Sequence, residues 1–441
     1  MVFWYRTGYN PADREITSPM LLSFRVANHR SLRDEQQLLL TPTYDTEAAS
    51  THGYPAVTVI GIFGANASGK SNVLDALIYM RNLVRGSLRE SEPGSGITRF
   101  PFALDFSASE DPSLYVVDLL IDGVRYTYGF AVNDERVVEE WLYSYPLKKK
   151  REVFHRRNDE YSYGEHSPHS MKQVANITES NVLFLSVAAR SRQELVRPVY
   201  DWFMRVSVRN PRSVRIAPRM LDSVDRLGLL NRIVELLQAA DTGIESAEIV
   251  EETDAEFSER TARQKTPQGF VPERRKDVLF KHRGEAGTFP LTLREQSLGT
   301  QALYEIGVDV FRAIDRGAVL IADELDSSLH PFLTAQLIRL FNDPAINTEG
   351  AQLLFSSHDT TLLGKIQGEE VLKRDSIWFT EKGDHGATEL FPLTDFKPRR
   401  DENRERRYLA GRYGAVPIIS DSLFAAAVTA RREAENVSQK S

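Results

Sequence analysis

The sequence predicts an α/β fold, because three short apolar runs have the length of buried parallel strands and each leads into polar or glycine-rich residues. The first run covers residues 57–63 and leads into a glycine-rich turn. The second covers 318–322 and ends in two carboxylates, and the third covers 353–355 and ends in Ser-Ser-His. After the first run, apolar residues recur at the spacing of a helix: Val73, Leu74, Leu77, Met80 and Val84.

The glycine-rich turn at residues 64–71 reads Gly-Ala-Asn-Ala-Ser-Gly-Lys-Ser, a complete GxxxxGKS phosphate-binding loop. Backbone N–H groups of such a turn, and the N-terminus of the helix after it, face a phosphate chain. Lys70 can neutralise the β- and γ-phosphates, and the Ser71 hydroxyl can hold Mg²⁺. Coincidence would produce this pattern on the order of one time in a hundred. The loop predicts that the chain binds ATP or another nucleoside triphosphate through Gly64, Asn66, Ser68, Gly69, Lys70, Ser71 and Asn72.

The second apolar run ends in Asp323 and Glu324, which is the pattern of a Walker B strand. Asp323 is predicted to bind Mg²⁺ together with Ser71. Glu324 is predicted to orient and deprotonate the water that attacks the γ-phosphate. A solvated strand end would also carry two carboxylates, but the phosphate loop upstream favours the catalytic interpretation. The predicted class is therefore a P-loop nucleoside triphosphatase that hydrolyses ATP with Mg²⁺.

The segments around the acidic pair resemble those of ABC-type ATPases, the class that includes the SMC and DNA-repair ATPases. Residues 295–301, Glu-Gln-Ser-Leu-Gly-Thr-Gln, precede Walker B as a signature segment does, and residues 325–331 follow it as a D-loop does. The resemblance implies that Ser297 and Gly299 are signature residues and that Asp326 communicates between paired sites. The usual LSGGQ reads Ser-Leu-Gly-Thr-Gln here, so the second glycine is replaced.

His358 ends the third apolar run, in Ser-Ser-His-Asp. A histidine at a strand end is most often a structural residue. Its place after Walker B matches the switch histidine of the ABC-type class, so the resemblance implies that His358 senses the γ-phosphate. The Gln of the usual Q-loop has no clear counterpart. Asn28, Arg30 and Ser31 are either neighbours of the base or α-phosphate or members of an ordinary turn.

More narrowly, the chain resembles the stand-alone prokaryotic ABC ATPases of phage-defence and abortive-infection modules, relatives of the overcoming-lysogenisation-defect ATPases. The stretches that carry this resemblance are residues 21–32, 63–72, 323–331, 357–360 and 407–417. It implies a sensor that controls a separate effector, such as a nuclease or toxin. The alternative is a self-sufficient DNA-processing or DNA-repair ATPase that binds DNA directly. The same type of ATPase domain occurs in proteins with many different functions, so the motifs alone leave both interpretations open.

The resemblance also implies how the chain assembles. In an ABC-type site the signature comes from a second chain packed head to tail, so ATP joins the two subunits. The expected unit is an ATP-dependent homodimer or a higher homo-oligomer. Asn66 is expected to help retain phosphate or water.

The composition is that of an ordinary globular protein, with 441 residues, 41% apolar and 27% charged. No apolar run reaches the roughly 18–20 residues that span a bilayer, and no signal peptide opens the chain, so no membrane contact and a cytoplasmic location are expected. The chain has no cysteine. Disulfides, thiolate nucleophiles and Cys-based zinc sites are thereby excluded, and Mg²⁺ with oxygen ligands is the expected metal.

The net charge of −7 offers no global attraction for nucleic acid, so any such contact must be local. Two basic clusters, within residues 148–157 and 399–407, are either local nucleic-acid sites or solvated surfaces. Arg275 and His282 match an Arg-x6-His pattern known from small RNases, but His282 is expected on a strand that leads to the signature.

The predicted organisation has five parts. Residues 1–19 are either an extension or the result of a mis-called start, so the native start is Met1 or Met20. Residues 20–169 form ATPase lobe I. Residues 170–245 form a compact helical arm without sustained heptads. Lobe II covers 246–395, with a mobile loop at about 251–276, and a helical tail covers 396–441. Within lobe I, Asp122-Gly123 predicts a hairpin.

Overall fold

A computed structural model describes residues 18–43, 55–209, 221, 224–240, 242–263, 274–399, 402–417, 420–423 and 425–426. Most of the extension predicted at 1–19, and the end of the predicted tail, lie outside these residues. No helix in the described part of the chain is long and apolar enough to cross a membrane.

The central sheet has six strands in the order β18-β17-β3-β14-β13-β9, and all neighbours in it are parallel except β18. Its strands are β3 (Val59–Gly64), β9 (Ser207–Arg209), β13 (Val319–Ala322), β14 (Gln352–Ser356), β17 (Ile377–Lys382) and β18 (Thr388–Pro392). The three apolar runs of the sequence form β3, β13 and β14, which are buried throughout. The predicted α/β class of a P-loop nucleoside triphosphatase is therefore confirmed.

A second sheet is antiparallel and has seven strands in the order β2-β1-β4-β5-β6-β7-β8. Its strands are β1 (Met20–Ala27), β2 (Gln36–Leu39), β4 (Ser113–Ile121), β5 (Val124–Val132), β6 (Val137–Tyr145), β7 (Arg151–Arg157) and β8 (Glu160–Ser162). The hairpin predicted at Asp122-Gly123 joins β4 to β5, and both residues have positive φ, as a tight two-residue turn requires.

The described residues also form two smaller sheets, with the orders β10-β11-β12 and β15-β16. They consist of β10 (Ile244–Glu251), β11 (Lys276–Gly284), β12 (Gly287–Thr292), β15 (Lys365–Ile366) and β16 (Glu369–Glu370). The hairpin of β11 and β12 delivers the chain to residue 297, as the sequence predicts.

The described α-helices are interspersed with these strands along the chain. They are α1 (Lys70–Glu90), α2 (Phe106–Glu110), α3 (Ser170–Ala175), α4 (Phe184–Arg190), α5 (Arg197–Arg205), α6 (Leu230–Ala239), α7 (Asp254–Arg263), α8 (Leu298–Arg316), α9 (Pro331–Asn342) and α10 (Arg404–Leu409). Helix α1 buries Val73, Leu74, Leu77, Met80 and Val84 on one face, which is the helical spacing read from the sequence.

Two hydrophobic cores lie on the two faces of the central sheet. One joins the seven-stranded sheet, α1, α4 and α5, and the other joins α6, α8, α9 and the three-stranded sheet. The two cores are distinct because successive side chains of a strand point to opposite faces of the sheet. In β3, Ile60 and Ile62 belong to the first core, whereas Val59 and Phe63 belong to the second.

The interval predicted as a helical arm, residues 170–245, packs against the ATPase body along its described length. Helices α4 and α5 contact α1, and α6 contacts α8. The interval also contains β9, which pairs with β13 in the central sheet. The predicted mobile loop at 251–276 is wrong for residues 254–263, which form helix α7, fixed by an ion pair between Arg260 and Glu252 at 2.8 Å. Residues 264–273 of the predicted loop lie outside the described residues.

The basic clusters are less basic at the surface than the sequence indicates. Arg156 is fully buried and donates to the backbone carbonyls of Asn158 and Val182 at 2.7 Å. Arg404 is also buried and donates to the carbonyl of Leu372 at 2.8 Å. These guanidinium groups satisfy internal acceptors, so neither can contact nucleic acid.

Candidate functional site

The functional side chains meet where the parallel strands of the central sheet end. Strands β3, β13, β14 and β17 all present their carboxyl ends at one edge, which is where ligands bind in open α/β sheets. A cleft of about 900 Å³ lies there. It is lined by Ser31, Asn66, Ala67, Gly69, Lys70, Ser71, Asn72, Glu324, His358 and Lys382.

The phosphate loop has the backbone that its glycines allow. Gly69 has a φ of 106°, and a Cβ at this position would collide with the side chain of Thr388. Gly64 is equally confined, since a Cβ at this position would lie 2.5 Å from the backbone oxygen of Thr380. The loop can therefore lie flat against β17 and β18, with its N–H groups at the start of α1.

Lys70 is nearly buried, at 5% exposure, and its ammonium donates to the carbonyls of Gly64 and Ala65 at 2.8 and 2.9 Å. Burial lowers the pKa of Lys70, and the nearby carboxylates of Asp323, Glu324 and Asp326 act in the opposite direction. An anionic ligand in the cleft would favour the charged ammonium, because a neighbouring opposite charge offsets the cost of burial.

A hydrogen bond joins the phosphate loop to the end of the Walker B strand. The Ser71 hydroxyl donates to Asp323 Oδ1 at 2.9 Å, so two residues far apart in the chain bring their oxygens to the same point. Mg²⁺ takes oxygen ligands in small, regular arrangements, usually one or two from protein. The hydroxyl of Ser71 and the carboxylate of Asp323 fit that requirement as a pair.

Ser356 opens the Ser-Ser-His-Asp stretch, in which the sequence assigns a role only to His358, and it organises both acidic residues. Its hydroxyl donates to Asp323 Oδ1 at 2.5 Å and accepts from the backbone N–H of Glu324 at 2.8 Å. Glu324 has a φ of 50°, an uncommon left-handed conformation for a residue with a side chain. Such conformations cost about 1–3 kcal/mol and persist where surrounding contacts hold them.

We expect Ser356→Ala to lower the rate of ATP hydrolysis about 10–100-fold with little change in nucleotide affinity. The substitution removes the hydroxyl that fixes Asp323 and the backbone of Glu324, and a misplaced catalytic group can cost about 100-fold. Single-turnover kinetics and equilibrium binding separate the two effects. Ser357→Ala is the neighbouring control, and an equal loss in both variants would assign the effect to packing.

The signature and D-loop segments lie together, outside the cleft lining. Ser297 is the N-cap of α8 and accepts from the backbone N–H of Thr300 at 3.1 Å. A Cβ at Gly299 would come within 3.2 Å of the Ser328 carbonyl, so the signature packs on the D-loop of its own chain. Asp326 Oδ1 is buried and accepts no hydrogen bond within the described residues.

The turn at residues 28–31 divides into structural and cleft-facing residues. Asn28 holds the neighbouring loops, since its amide donates to the carbonyls of Ala108 and Asp111. Arg30 forms an ion pair with Asp75 and lies over a phenylalanine ring. Of the residues in this turn, only Ser31 lines the cleft, and its hydroxyl accepts a hydrogen bond from the Asn72 amide at 2.6 Å. Of the two interpretations offered by the sequence, membership of an ordinary turn therefore holds for Asn28.

His282 lies on strand β11, and its Nε2 is 3.0 Å from Gln296 Oε1. This bond links the hairpin to the residue before the signature serine. Arg275 lies beside β11 and its backbone N–H contacts Glu252. The imidazole of His282 therefore has a structural partner, on the strand where the sequence places it.

Comparison with known proteins identifies one family. A family model described as "AAA domain, putative AbiEii toxin, Type IV TA system" matches residues 59–364. No curated protein matches the chain significantly.

Several solved structures of SMC head domains are similar. An SMC head bound to the C-terminal winged-helix domain of ScpA is 14% identical and covers 86% of this chain and 99% of its own, with a TM-score of 0.45. The head domain from Thermotoga maritima is 13% identical and covers 84% and 98%, with a TM-score of 0.38. A Pyrococcus furiosus head with an extended coiled coil, bound to the C-terminal domain of ScpA, is 11% identical and covers 86% and 98%, with a TM-score of 0.45.

Proposed function

We propose that this chain, which belongs to that family of AAA domains, is a Mg²⁺-dependent ATPase of the ABC type that works as a molecular switch. The observation that carries the proposal is the hydrogen bond between Ser71 and Asp323, which joins the two nucleotide motifs in one cleft. Lys70, Glu324 and His358 line the same cleft, so a phosphate binder, a carboxylate base and an imidazole face one ligand.

The residues divide the work of phosphoryl transfer to water. Lys70 would exchange the carbonyls of its own loop for the phosphate oxygens, and the N–H groups at the start of α1 would hold the same phosphates. Glu324 would take a proton from the attacking water, and His358 would contact the γ-phosphate. Mg²⁺, held by Ser71 and Asp323, would neutralise charge that develops on the phosphates.

A second copy of the chain is proposed to complete each site. The cleft lining in the described residues does not include Ser297 or Gly299, although both belong to the signature. Leu298 between them is 69% exposed, and Phe332, just after the D-loop, is 49% exposed. Exposed apolar residues beside unused signature groups favour a partner subunit here. ATP bound by Lys70 of one chain would then be contacted by Ser297 of the other.

Mixing two inactive variants tests this arrangement. Lys70→Ala removes the phosphate ligand, and Ser297→Arg blocks the signature, so each homodimer should be inactive. In a mixed dimer, Lys70 of one chain and Ser297 of the other form one intact site. Random pairing should restore on the order of one quarter of wild-type ATP hydrolysis. No recovery, together with a monomer in sedimentation at saturating ATP, would contradict the ABC-type assembly.

The biological role proposed for the switch is control of a separate effector, such as a nuclease or toxin, in an anti-phage defence system. The description of the family names a toxin and a toxin–antitoxin system, which supports a role of this kind. The alternative is a DNA-processing ATPase that acts alone. The burial of Arg156 and Arg404 weakens that alternative, because it removes charge from both basic clusters. Nucleic-acid cleavage by the purified chain alone would favour it.

A further inference from the structure

The hairpin of β17 and β18 places a second lysine in the cleft, and this lysine belongs to none of the sequence motifs. Lys382 is the last residue of β17 and lines the cleft with the phosphate loop. Lys70 is the other lysine of this lining. A lysine near a bound triphosphate is a candidate ligand for it, because the compact ammonium attracts phosphate oxygens as a point charge.

The strand register directs Lys382 toward the phosphate loop. Lys382 pairs with Thr388 across the hairpin, so the two side chains leave the same face of the sheet. Thr388 donates to the Ser68 carbonyl at 2.8 Å. Thr380, two residues before Lys382 on the same strand, lies 2.6 Å from the Ser68 hydroxyl. The face that carries Lys382 is therefore the face in contact with the loop.

The order of the strands decides which end of the nucleotide Lys382 faces. Strand β17 flanks β3 on the side opposite β14 and β13. Glu324 and His358, which face the γ-phosphate in the proposed function, follow β13 and β14. Lys382 therefore approaches the loop from the end away from the hydrolytic groups. Ser31, which also lines the cleft, is tied to this hairpin because its hydroxyl oxygen lies 2.7 Å from that of Thr388.

We propose that Lys382 binds the α-phosphate of the nucleotide, at the end of the cleft that is not hydrolysed. The inference rests on the proposed function, since it assigns a further ligand to the same site. Its consequence is specific. An α-phosphate contact is present with ADP as well as ATP, so Lys382 should contribute equally to the affinity for both nucleotides and little to the rate of hydrolysis.

The test is equilibrium binding of ADP and of the β,γ-imido analogue of ATP to the full-length chain. Lys382→Ala should weaken both ligands by the same factor, about tenfold, as expected for one hydrogen bond to a charged group. Lys382→Arg should recover most of the affinity. Lys172→Ala, at an exposed lysine of α3, is the matched control and should change nothing. An unchanged melting temperature would show that each variant folds.

Two results would overturn the inference. Unchanged affinity for both ligands in Lys382→Ala would mean that the ammonium only points into solvent. A loss confined to the imido analogue would move the contact to the γ-phosphate. Failure of the proposed function gives a different result, because the wild-type chain would then bind neither ligand.

Discussion

Glu324→Gln should retain ATP binding and lose about 100- to 10,000-fold in the rate of hydrolysis. The amide keeps the shape of the side chain and the backbone bond to Ser356, so the cleft should keep its form. It removes the basic oxygen that accepts the proton of the attacking water, and general-base catalysis contributes about 100- to 10,000-fold. Steady-state hydrolysis and binding of unhydrolysed ATP measure the two effects separately.

The controls for this variant separate base chemistry from charge. Glu285→Gln removes one carboxylate at an exposed position of the hairpin between β11 and β12 and should hydrolyse ATP at the wild-type rate. Lys70→Ala should instead lose binding, because it removes the ammonium from the phosphate loop. Because ATP would no longer be consumed, Glu324→Gln should also accumulate as a dimer with ATP. Normal turnover by Glu324→Gln would show that another group is the base.

The site residues that the sequence predicts are those whose function depends on neighbours within a single short motif. The phosphate loop needs glycines at positions of tight backbone, and the Walker B strand is an apolar run that ends in carboxylates, so both leave a pattern within a few residues. The same local logic predicted the turn at Asp122-Gly123. The structure confirms that these segments form β3, α1, β13 and the β4–β5 hairpin.

The residues missed by the sequence act through contacts between distant segments. Ser356, Thr388 and Lys382 lie on strands whose order in the sheet cannot be read from local pattern. Thr388 contacts the Ser68 carbonyl from 320 positions away in the chain. For Ser356, its place in Ser-Ser-His-Asp, directly after an apolar strand, was a usable signal. Thr388 and Lys382 had no comparable signal.

The role of the C-terminal tail also depends on contacts with distant segments, and these contacts matter for function. The sequence predicts only a helical tail at 396–441, but the described residues of this tail also complete a core. Tyr408 and Tyr413 are 5% and 2% exposed, and both rings stack on Phe379 of β17 with centroids 5.4 and 5.6 Å apart. The next residue of β17, Thr380, bonds to Ser68 in the phosphate loop. The tail therefore supports the strand on which the nucleotide loop rests.

Ending the chain at residue 399 should consequently abolish ATP binding by unfolding this part of the protein. Loss of one large buried aromatic costs about 3–5 kcal/mol, and the truncation removes two of them. It also leaves the carbonyl of Leu372 without its bond from Arg404. The sum approaches the 5–15 kcal/mol of a whole domain.

A chain that ends at Pro417 is the matched control, because it keeps Tyr408, Tyr413 and the hydrogen bond from Tyr408 to the Ala415 carbonyl at 3.0 Å. Thermal unfolding and nucleotide binding of the two truncations should differ sharply. Tyr413→Ala should fall between them, with about 3–5 kcal/mol lost. Wild-type stability and ATPase activity in the chain that ends at residue 399 would instead show that the tail only covers the surface.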